Sequence, residues 1–172
     1  MMTAPAIATH RPLGYGLAAL IVFADQLVKW ALTGPARLAE ISVIEVLPVF
    51  DFRYIRNYGI SLGLFQAGSD TARWALVALT TVIATGVAAW IWRERLKGEV
   101  VALALVLGGA IGNISDRARL GYVIDYADLH IGAFRPFLVF NVADAAITIG
   151  VVVLLGRAFL VRQASKVETT NA

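Results

Sequence analysis

The chain has 172 residues, of which 59% are hydrophobic and only 16% are charged, and its mean hydropathy is +0.73. Because soluble domains carry about 25% charged residues, this composition indicates a membrane protein. The net charge of +3 comes without a nucleic-acid-binding motif, so we expect no nucleic-acid partner. The lack of cysteine excludes disulfides and thiol catalysis, and with only two histidines we expect neither a metal nor another cofactor.

Four apolar segments reach or approach the length of about 20 helical residues that crossing a bilayer requires. Tryptophan stands at both ends of the second segment, where aromatic rings favour the membrane interface. We predict a mainly α-helical membrane protein, a bundle of four transmembrane helices. We expect a single domain over residues 1–164, followed by a disordered cytoplasmic tail at 165–172. The four predicted spans are residues 13–32, 74–92, 100–114 and 137–160.

Basic residues are unevenly distributed around these spans. Arg11 precedes the first, the connector RERLKGE joins the second to the third, and Arg157 and Arg162 lie near the end of the fourth. Because arginine and lysine accumulate on the cytoplasmic side of a membrane, we predict that both termini and this connector are cytoplasmic. The loops at 33–73 and 115–136 then face outward.

The first outer loop contains the stretch VIEVLPVFDFRYIRNYG. Aromatic and charged side chains alternate over residues 50–54, and alternation with a period of two is typical of a β-strand. Pro48 allows only an edge or a break at its own position. We therefore expect a small extracytoplasmic β-sheet beside the helical bundle.

Polar residues within the predicted spans are the first candidates for function, because burying them is unfavourable. Asp25 and Lys29 are four residues apart on one face of the first span, which favours a structural ion pair and leaves a catalytic role as the alternative. In the third span Gly108, Gly109 and Gly112 allow close helix contact.

More polar residues follow the third span. Asn113, Asp116 and Arg117 lie at its outer end, where Asp116 and Arg117 could form a plain surface ion pair. Asp125 lies between apolar residues in the stretch YVIDY. Asp128 lies in a more polar context, so we expect its carboxylate to be solvated.

The fourth span carries Asn141 and Asp144 about one helical turn apart, on one face. A carboxylate at this depth usually faces a cavity and has a function. Two acids close together cannot both ionise, so one can activate water while its protonated partner polarises a carbonyl group. These residues predict such a pair between Asp144 and either Asp125 or Asp116, and they do not choose between the two.

Four motifs in this order resemble those of the lipoprotein signal peptidase family, also called signal peptidase II. They are FADQLVKW in the first span, IRNYG in the outer loop, GGAIGNISDR with the following GYVIDY, and FNVADAAITIG in the fourth span. The resemblance covers most of the chain. It implies an intramembrane aspartic endopeptidase that removes signal peptides from bacterial prolipoproteins by cutting before the lipid-modified cysteine.

The resemblance also implies roles for individual residues, with Asp125 and Asp144 at the positions of the catalytic pair. Lipid-modified prolipoproteins, membrane lipid and the inhibitor globomycin are then the expected partners of a monomer in the bacterial cytoplasmic (inner) membrane. Its active site is expected near the extracytoplasmic face. The positions that line the site are Asn57, Asn113, Arg117 and Asn141, and the supporting positions are Asp25, Lys29, Asp116 and Gly112.

Two other classes of function remain open from the residues alone. A small proton-coupled transporter subunit could use Asp25, Lys29 and Asp144 as a relay, because carboxylates within spans are typical of proton pathways. A structural assembly subunit could pack its glycine-rich third span against a partner. The first predicts flux across liposomes, and the second predicts a stable complex without turnover.

Overall fold

The computed structural model describes residues 10–59 and 70–170, with side chains described as far as residue 160. Residues 60–69, within the first predicted outer loop, lie outside the described part. Four described helices are long and apolar enough to cross a membrane, which confirms the predicted four-helix membrane protein. The elements in chain order are α1 (Arg11–Thr33), α2 (Leu38–Ile41), β1 (Val43–Leu47), β2 (Phe50–Asn57), α3 (Asp70–Arg93), α4 (Lys97–Leu120), β3 (Val123–Leu129) and α5 (Val142–Thr170).

Helix α4 lies at the centre of the bundle and packs against α1, α3 and α5. Within the protein, 50% of its apolar stretch is buried, against 22%, 11% and 17% of the corresponding stretches of α1, α3 and α5. The three outer helices therefore turn most of their apolar side chains toward the membrane, where lipid takes the place of a protein core.

Glycines on α4 permit this central packing, as the sequence predicts. A Cβ added at Gly108 would lie 2.7 Å from the carbonyl oxygen of Ala18 on α1. A Cβ at Gly109 would collide with the carbonyl oxygen of Ala143 on α5. The backbones of α1 and α5 therefore approach α4 more closely than any larger residue would allow.

The small sheet is antiparallel, with strand order β1-β2-β3. Strands β1 and β2 confirm the predicted strand around residues 50–54, and Pro48 lies in the turn between them. Strand β3 lies in the second predicted outer loop and was not predicted from the sequence. Six of its seven residues are buried, so its sequence lacks the alternation that marks a strand with one solvated face.

Two predicted span boundaries are wrong. Helix α4 continues to Leu120, well beyond the predicted end at 114, and therefore carries Asp116 and Arg117 in its last turns. Helix α5 begins at Val142 and not at 137. Residues 137–140 are as apolar as a span, but Phe140 exchanges backbone hydrogen bonds with Ala127 of β3, so the chain is extended there and not helical.

The end of α5 also differs from the expected outline of the chain. Its backbone remains helical to Thr170, past the point at 165 where the sequence predicts a disordered tail. The stretch 157–170 contains neither glycine nor proline, so no residue type in it strongly opposes helix.

Candidate active site

Asp125 and Asp144 reach the same region from different elements. Asp125 lies in the middle of β3, and Asp144 lies in the first turn of α5. Asp125 is only 2% exposed, although it belongs to a strand outside the spanning helices. The chain between the two residues returns from the sheet to the bundle, which brings a strand residue close to a helix terminus.

Asn141 connects the two aspartates. Its Nδ2 donates to Oδ1 of Asp125 at 2.7 Å, and its Oδ1 accepts from the backbone N–H of Asp144 at 2.8 Å. In return, Oδ2 of Asp144 accepts from the backbone N–H of Asn141 at 3.3 Å. This reciprocal pair is a capping box, which satisfies two N–H groups at the start of α5.

Two more asparagines donate hydrogen bonds to the carboxylate oxygens that Asn141 does not contact. Asn113 on α4 donates from Nδ2 to Oδ1 of Asp144 at 2.8 Å. Asn57, at the end of β2, donates from Nδ2 to Oδ2 of Asp125 at 3.0 Å. The side-chain oxygen of Asn57 in turn accepts from the backbone N–H of Gly59 at 2.8 Å. Each aspartate is thus fixed by amides from two separate elements.

The two carboxylates have different electrostatic surroundings. Burial and the nearby negative charge of Asp144 raise the pKa of Asp125 to about 6, although the donors Asn57 and Asn141 act in the opposite direction. Asp144 lies in the first turn of α5, at the positive end of the helix dipole.

Arg117 supplies positive charge close to the pair. Its guanidinium interacts electrostatically with Asp144, Asp125 and Asp116. It packs against Gly59, where an added Cβ would lie 3.2 Å from Nη2. The buried Nε has no hydrogen-bond partner among the described residues, so this donor is free to bind a peptide carbonyl group.

A buried ionic cluster lies beneath the aspartates. Lys29 Nζ lies 2.7 Å from Oδ2 of Asp25, which confirms the predicted ion pair. The same Nζ lies 2.8 Å from Oδ2 of Asp116. The surface pair between Asp116 and Arg117 suggested by the sequence is therefore wrong, because the longer α4 turns Asp116 into the bundle, where it is 2% exposed.

This cluster also holds the backbone next to each aspartate of the pair. Oδ1 of Asp25 accepts from the N–H of Ala143, the residue before Asp144, at 3.1 Å. Oδ2 of Asp116 accepts from the N–H of Ile124, the residue before Asp125, at 3.2 Å. The cluster of Asp25, Lys29 and Asp116 thereby ties β3 and the start of α5 to one charged centre.

Gly112 leaves the space that the side chain of Asp25 and the start of α5 occupy. A Cβ at Gly112 would lie 2.8 Å from Oδ2 of Asp25 and 3.3 Å from Cβ of Ala143. The supporting position inferred from the sequence therefore lies at the contact between the ionic cluster and the start of α5.

Gln26 also belongs to this site, and it was not among the predicted residues. Its Nε2 donates to Oδ1 of Asp116 at 2.9 Å, and also to Oδ2 of Asp25 at 3.2 Å. A glutamine inside an apolar span, next to Asp25, was the available signal, since polar side chains in spans hydrogen-bond to other helices.

The environment of Asp128 differs from the solvated one that the sequence predicted. Its side chain is fully buried, not solvated, and pairs with Arg53 of β2 at 2.7 Å and with Arg135 at 3.0 Å. Those two ion pairs outweigh the effect of burial and lower the pKa of Asp128. Cross-strand register decides this environment, and the local sequence around Asp128 contains no sign of it. The pair with Arg135 fixes the segment between β3 and α5 to the sheet.

A cavity of about 340 Å³ opens beside Asp144, between that segment and one face of α5. Its lining is apolar except for Asp144 and Thr148 and includes Leu129, Phe137, Phe140 and Ile149. In the described parts of the chain, no three histidine, cysteine, aspartate or glutamate side chains are grouped as metal ligands would be. The site thus offers carboxylates, amides and one guanidinium next to an apolar groove.

The family model for signal peptidase II matches residues 17–160 of the chain. This chain belongs to the signal peptidase II family. A lipoprotein signal peptidase of Rhizorhabdus wittichii is 61% identical over 160 residues, covering 93% of each chain. That of Sphingopyxis alaskensis is 54% identical over 150 residues, covering 86% of this chain and 87% of the relative.

Solved structures support the same assignment for the fold. A bacterial membrane enzyme matches with a TM-score of 0.73 at 25% identity, covering 90% of this chain and 91% of that chain. The family assignment and the four spanning helices together make this signal peptidase II family member a multi-pass membrane protein and a protease. The family inferred from the four motifs is therefore confirmed.

Proposed function

We propose that this chain removes signal peptides from bacterial prolipoproteins, cutting just before the diacylglyceryl-modified cysteine, with Asp125 and Asp144 as its catalytic pair. The observation that carries the proposal is the link through Asn141, which donates to Asp125 at 2.7 Å and caps the helix that presents Asp144. Two acids linked through Asn141 are the groups in this site best suited to peptide hydrolysis.

In the proposed reaction Asp144 is the ionised member of the pair. It takes a proton from a water molecule as that water attacks the carbonyl carbon before the cysteine. Asp125 is the protonated member, and its proton is donated to the carbonyl oxygen as the tetrahedral intermediate forms. The raised pKa of Asp125, about 6, supports this division. The intermediate then collapses: Asp144 passes the proton it took from the water to the cysteine nitrogen, which leaves as an amine, and one hydroxyl group of the intermediate returns a proton to Asp125 as the carboxylic acid product forms.

The amide and guanidinium groups have binding and positioning roles in this proposal. Asn57 and Asn113 keep each carboxylate in register with the other. Arg117, whose Nε has no hydrogen-bond partner among the described residues, binds a carbonyl oxygen of the substrate backbone. Asp25, Lys29, Asp116 and Gly112 support the two backbones that carry the pair.

We further propose that the site lies near the extracytoplasmic face of the bacterial inner membrane, with both termini in the cytoplasm. The distribution of basic residues supports this orientation, because Arg95 and Lys97 lie at the opposite end of α4 from the site. A lipid-anchored substrate then reaches the pair by lateral diffusion. Residues 1–164 act as one membrane domain, and one chain supplies both carboxylates and their donors, so a monomer suffices and no cofactor is needed.

The test is cleavage of a synthetic precursor peptide that carries diacylglyceryl cysteine, with purified protein in detergent. We expect the wild type to release the signal peptide, with mass spectrometry locating the cut before the cysteine, and globomycin to inhibit it. Asp125→Asn and Asp144→Asn should purify in normal yield with normal melting curves and leave the peptide uncut. Full activity in either variant would rule out the catalytic pair.

A further inference from the structure

A second cavity, of about 580 Å³, lies between α1 and α4. Neither aspartate of the proposed catalytic pair lines it. Several of its lining residues are exposed, so it is an open groove on the membrane-facing surface of the bundle. Its polar lining residues are Tyr15 and Gln26, and its apolar wall includes Ala19, Phe23, Leu107 and Ile111.

The groove reaches about as deep as one leaflet of a bilayer. Tyr15 and Gln26 are 11 residues apart on α1, which corresponds to about 16 Å along a helix. One leaflet provides about 15 Å of the hydrocarbon core. Gln26 lies at the level where α5 begins, since its neighbour Asp25 accepts from the backbone N–H of Ala143. The groove therefore starts at the end of the bundle that carries the proposed catalytic pair and runs inward from there.

Arg119 stands at this end of the groove. Its Nη1 donates to Oε1 of Gln26 at 3.1 Å, and its side chain is exposed. Across the parts of the chain that the structure describes, Arg119 forms no ion pair with a carboxylate. A guanidinium group has five N–H donors. The bond to Gln26 uses one of them, so the positive charge and the remaining donors are available to an anion.

The place of Arg119 in the last turn of α4 does not account for its orientation. A basic residue at a helix C-terminus can bind the last carbonyl groups of the helix. Here Arg73 of α3 has that role, since it donates to the carbonyl oxygens of Arg117 and Ala118. Arg119 turns toward α1 instead, and its charge lies beside the polar end of an apolar groove.

The shape of the groove favours a lipid chain over another helix. Helices in membranes associate through small residues, which let their backbones approach closely. Phe23 lines the groove and is 63% exposed, so its ring projects where a second helix would have to pack. A flexible acyl chain can lie beside that ring. Guanidinium groups bind phosphate through pairs of parallel hydrogen bonds, which a phospholipid headgroup supplies.

We propose that this groove binds one phospholipid with an anionic headgroup, its phosphate on Arg119 and one acyl chain between α1 and α4. In the proposed orientation this lipid comes from the outer leaflet. The inference goes beyond the proposed function, because no step of peptide cleavage uses the site. Gln26 connects it to the buried ionic cluster, since its Nε2 donates to Oδ1 of Asp116 at 2.9 Å while its Oε1 accepts from Arg119. Bound lipid should therefore stabilise the folded bundle.

The experiment measures binding of phosphatidylglycerol and phosphatidylcholine with identical acyl chains to the full chain in detergent, by native mass spectrometry. We expect one phosphatidylglycerol per chain, bound more tightly than phosphatidylcholine, whose choline cancels the phosphate charge. Arg119→Gln should lower the affinity for phosphatidylglycerol about tenfold, as loss of a hydrogen bond to a charged group predicts, and should remove most of the preference. Arg119→Lys keeps the charge and should retain part of the preference.

Arg37→Gln is the matched control for charge. Arg37 is an exposed arginine on the same side of the bundle, but its guanidinium is already paired with Glu40. Its replacement should leave both affinities unchanged. As a second readout, phosphatidylglycerol should raise the melting temperature of the wild type by about 2–4 °C and that of Arg119→Gln by less.

The acyl-chain part of the site is tested by filling the groove. Ala19→Trp places a large ring in the groove and should weaken binding of both lipids. Leu20→Trp is the matched control, because Leu20 is the next residue, is 59% exposed and does not line the groove. It should bind both lipids as the wild type does.

Several results would overturn the inference. Equal affinity of the wild type for the two lipids, or an unchanged preference in Arg119→Gln, rules out the headgroup site. Wild-type binding by Ala19→Trp rules out the groove. A wild-type dimer that Ala19→Trp converts to a monomer, as measured by light scattering, assigns the groove to a second copy of the chain. Binding is measured without cleavage, so a protein that cuts no precursor contradicts the proposed function alone.

Discussion

Asn141 donates from Nδ2 to Oδ1 of Asp125 across 2.7 Å while its own Oδ1 caps the helix that begins with Asp144 in its first turn. One side chain thus sets both the position of the strand carboxylate and the start of the helix. The relative placement of the two acids therefore depends on a residue that needs no chemical role of its own.

Replacing Asn141 should separate these two effects. Asn141→Ala removes the cap and should destabilise the protein by about 1 kcal/mol. It should also lower kcat by at least about a hundredfold, the lower range of acid–base catalysis. Asn141→Ser restores an oxygen that can accept from Asp144 N–H, but it cannot reach Asp125. The melting temperature should recover in the serine variant and kcat should not. Joint recovery of both would show that capping alone matters.

The pH dependence of cleavage should report the protonated member of the pair. A raised pKa of about 6 keeps Asp125 protonated up to that pH. The active form is then lost as pH rises, so kcat/KM should fall tenfold per unit above about pH 6. Bound substrate excludes water and favours the neutral acid, so the corresponding fall in kcat should come at higher pH.

Asn57→Ala tests whether Asp125 is the protonated member of the pair, because it should shift the pH at which kcat/KM falls. Asn57 donates to Oδ2 of Asp125 and lowers its pKa. Without that donor the pKa of Asp125 should rise, and the fall in kcat/KM should shift to higher pH. An unchanged pH profile with reduced kcat would contradict the assignment of the proton to Asp125. The measurement is kcat/KM from pH 4.5 to 8.5, compared with the wild type.

Lys29 should be essential for stability, because it neutralises two buried carboxylates. Lys29→Met leaves Asp25 and Asp116 charged and unpaired, and we expect a loss of about 3–5 kcal/mol in the free energy of unfolding in bicelles. The combined variant Asp25→Asn, Lys29→Met and Asp116→Asn removes the charges but keeps oxygens that accept from Ala143 and Ile124. It should regain most of the lost stability. A Lys29→Met variant as stable as the wild type would disprove this role.

Gly112→Ala should be destabilising through steric overlap. The new methyl group would lie 2.8 Å from Oδ2 of Asp25 and 3.3 Å from Cβ of Ala143. We expect a loss of about 1–3 kcal/mol, as overpacking usually gives. Gly16→Ala is the matched control, since an added Cβ there meets nothing within 4 Å, and it should gain about 0.5–1 kcal/mol. Equal melting temperatures for the two variants would contradict the close packing of α1, α4 and α5.

Much of the fold could be predicted because its signals are local. The hydrophobic spans, the alternating strand of residues 50–54 and the ion pair of Asp25 with Lys29 each depend on residues close in the chain. Strand β3 could not be predicted, since it is buried on both faces. The start of α5 was placed too early because hydropathy does not distinguish an extended apolar segment from a helical one.

The sequence by itself determined the membrane class, the family and the set of polar residues at membrane depth, because composition, spacing and motifs require no knowledge of contacts. Residue types and spacing left Asp125 and Asp116 both open as partners of Asp144, and the family resemblance alone selected Asp125. Only the tertiary structure brought Asn141 between Asp125 and Asp144 and placed Asp116 beside Lys29. The contacts of Asn141 with Asp125 and of Asp116 with Lys29 join residues distant in the chain. The surroundings of a carboxylate decide whether it shares a proton or forms an ion pair.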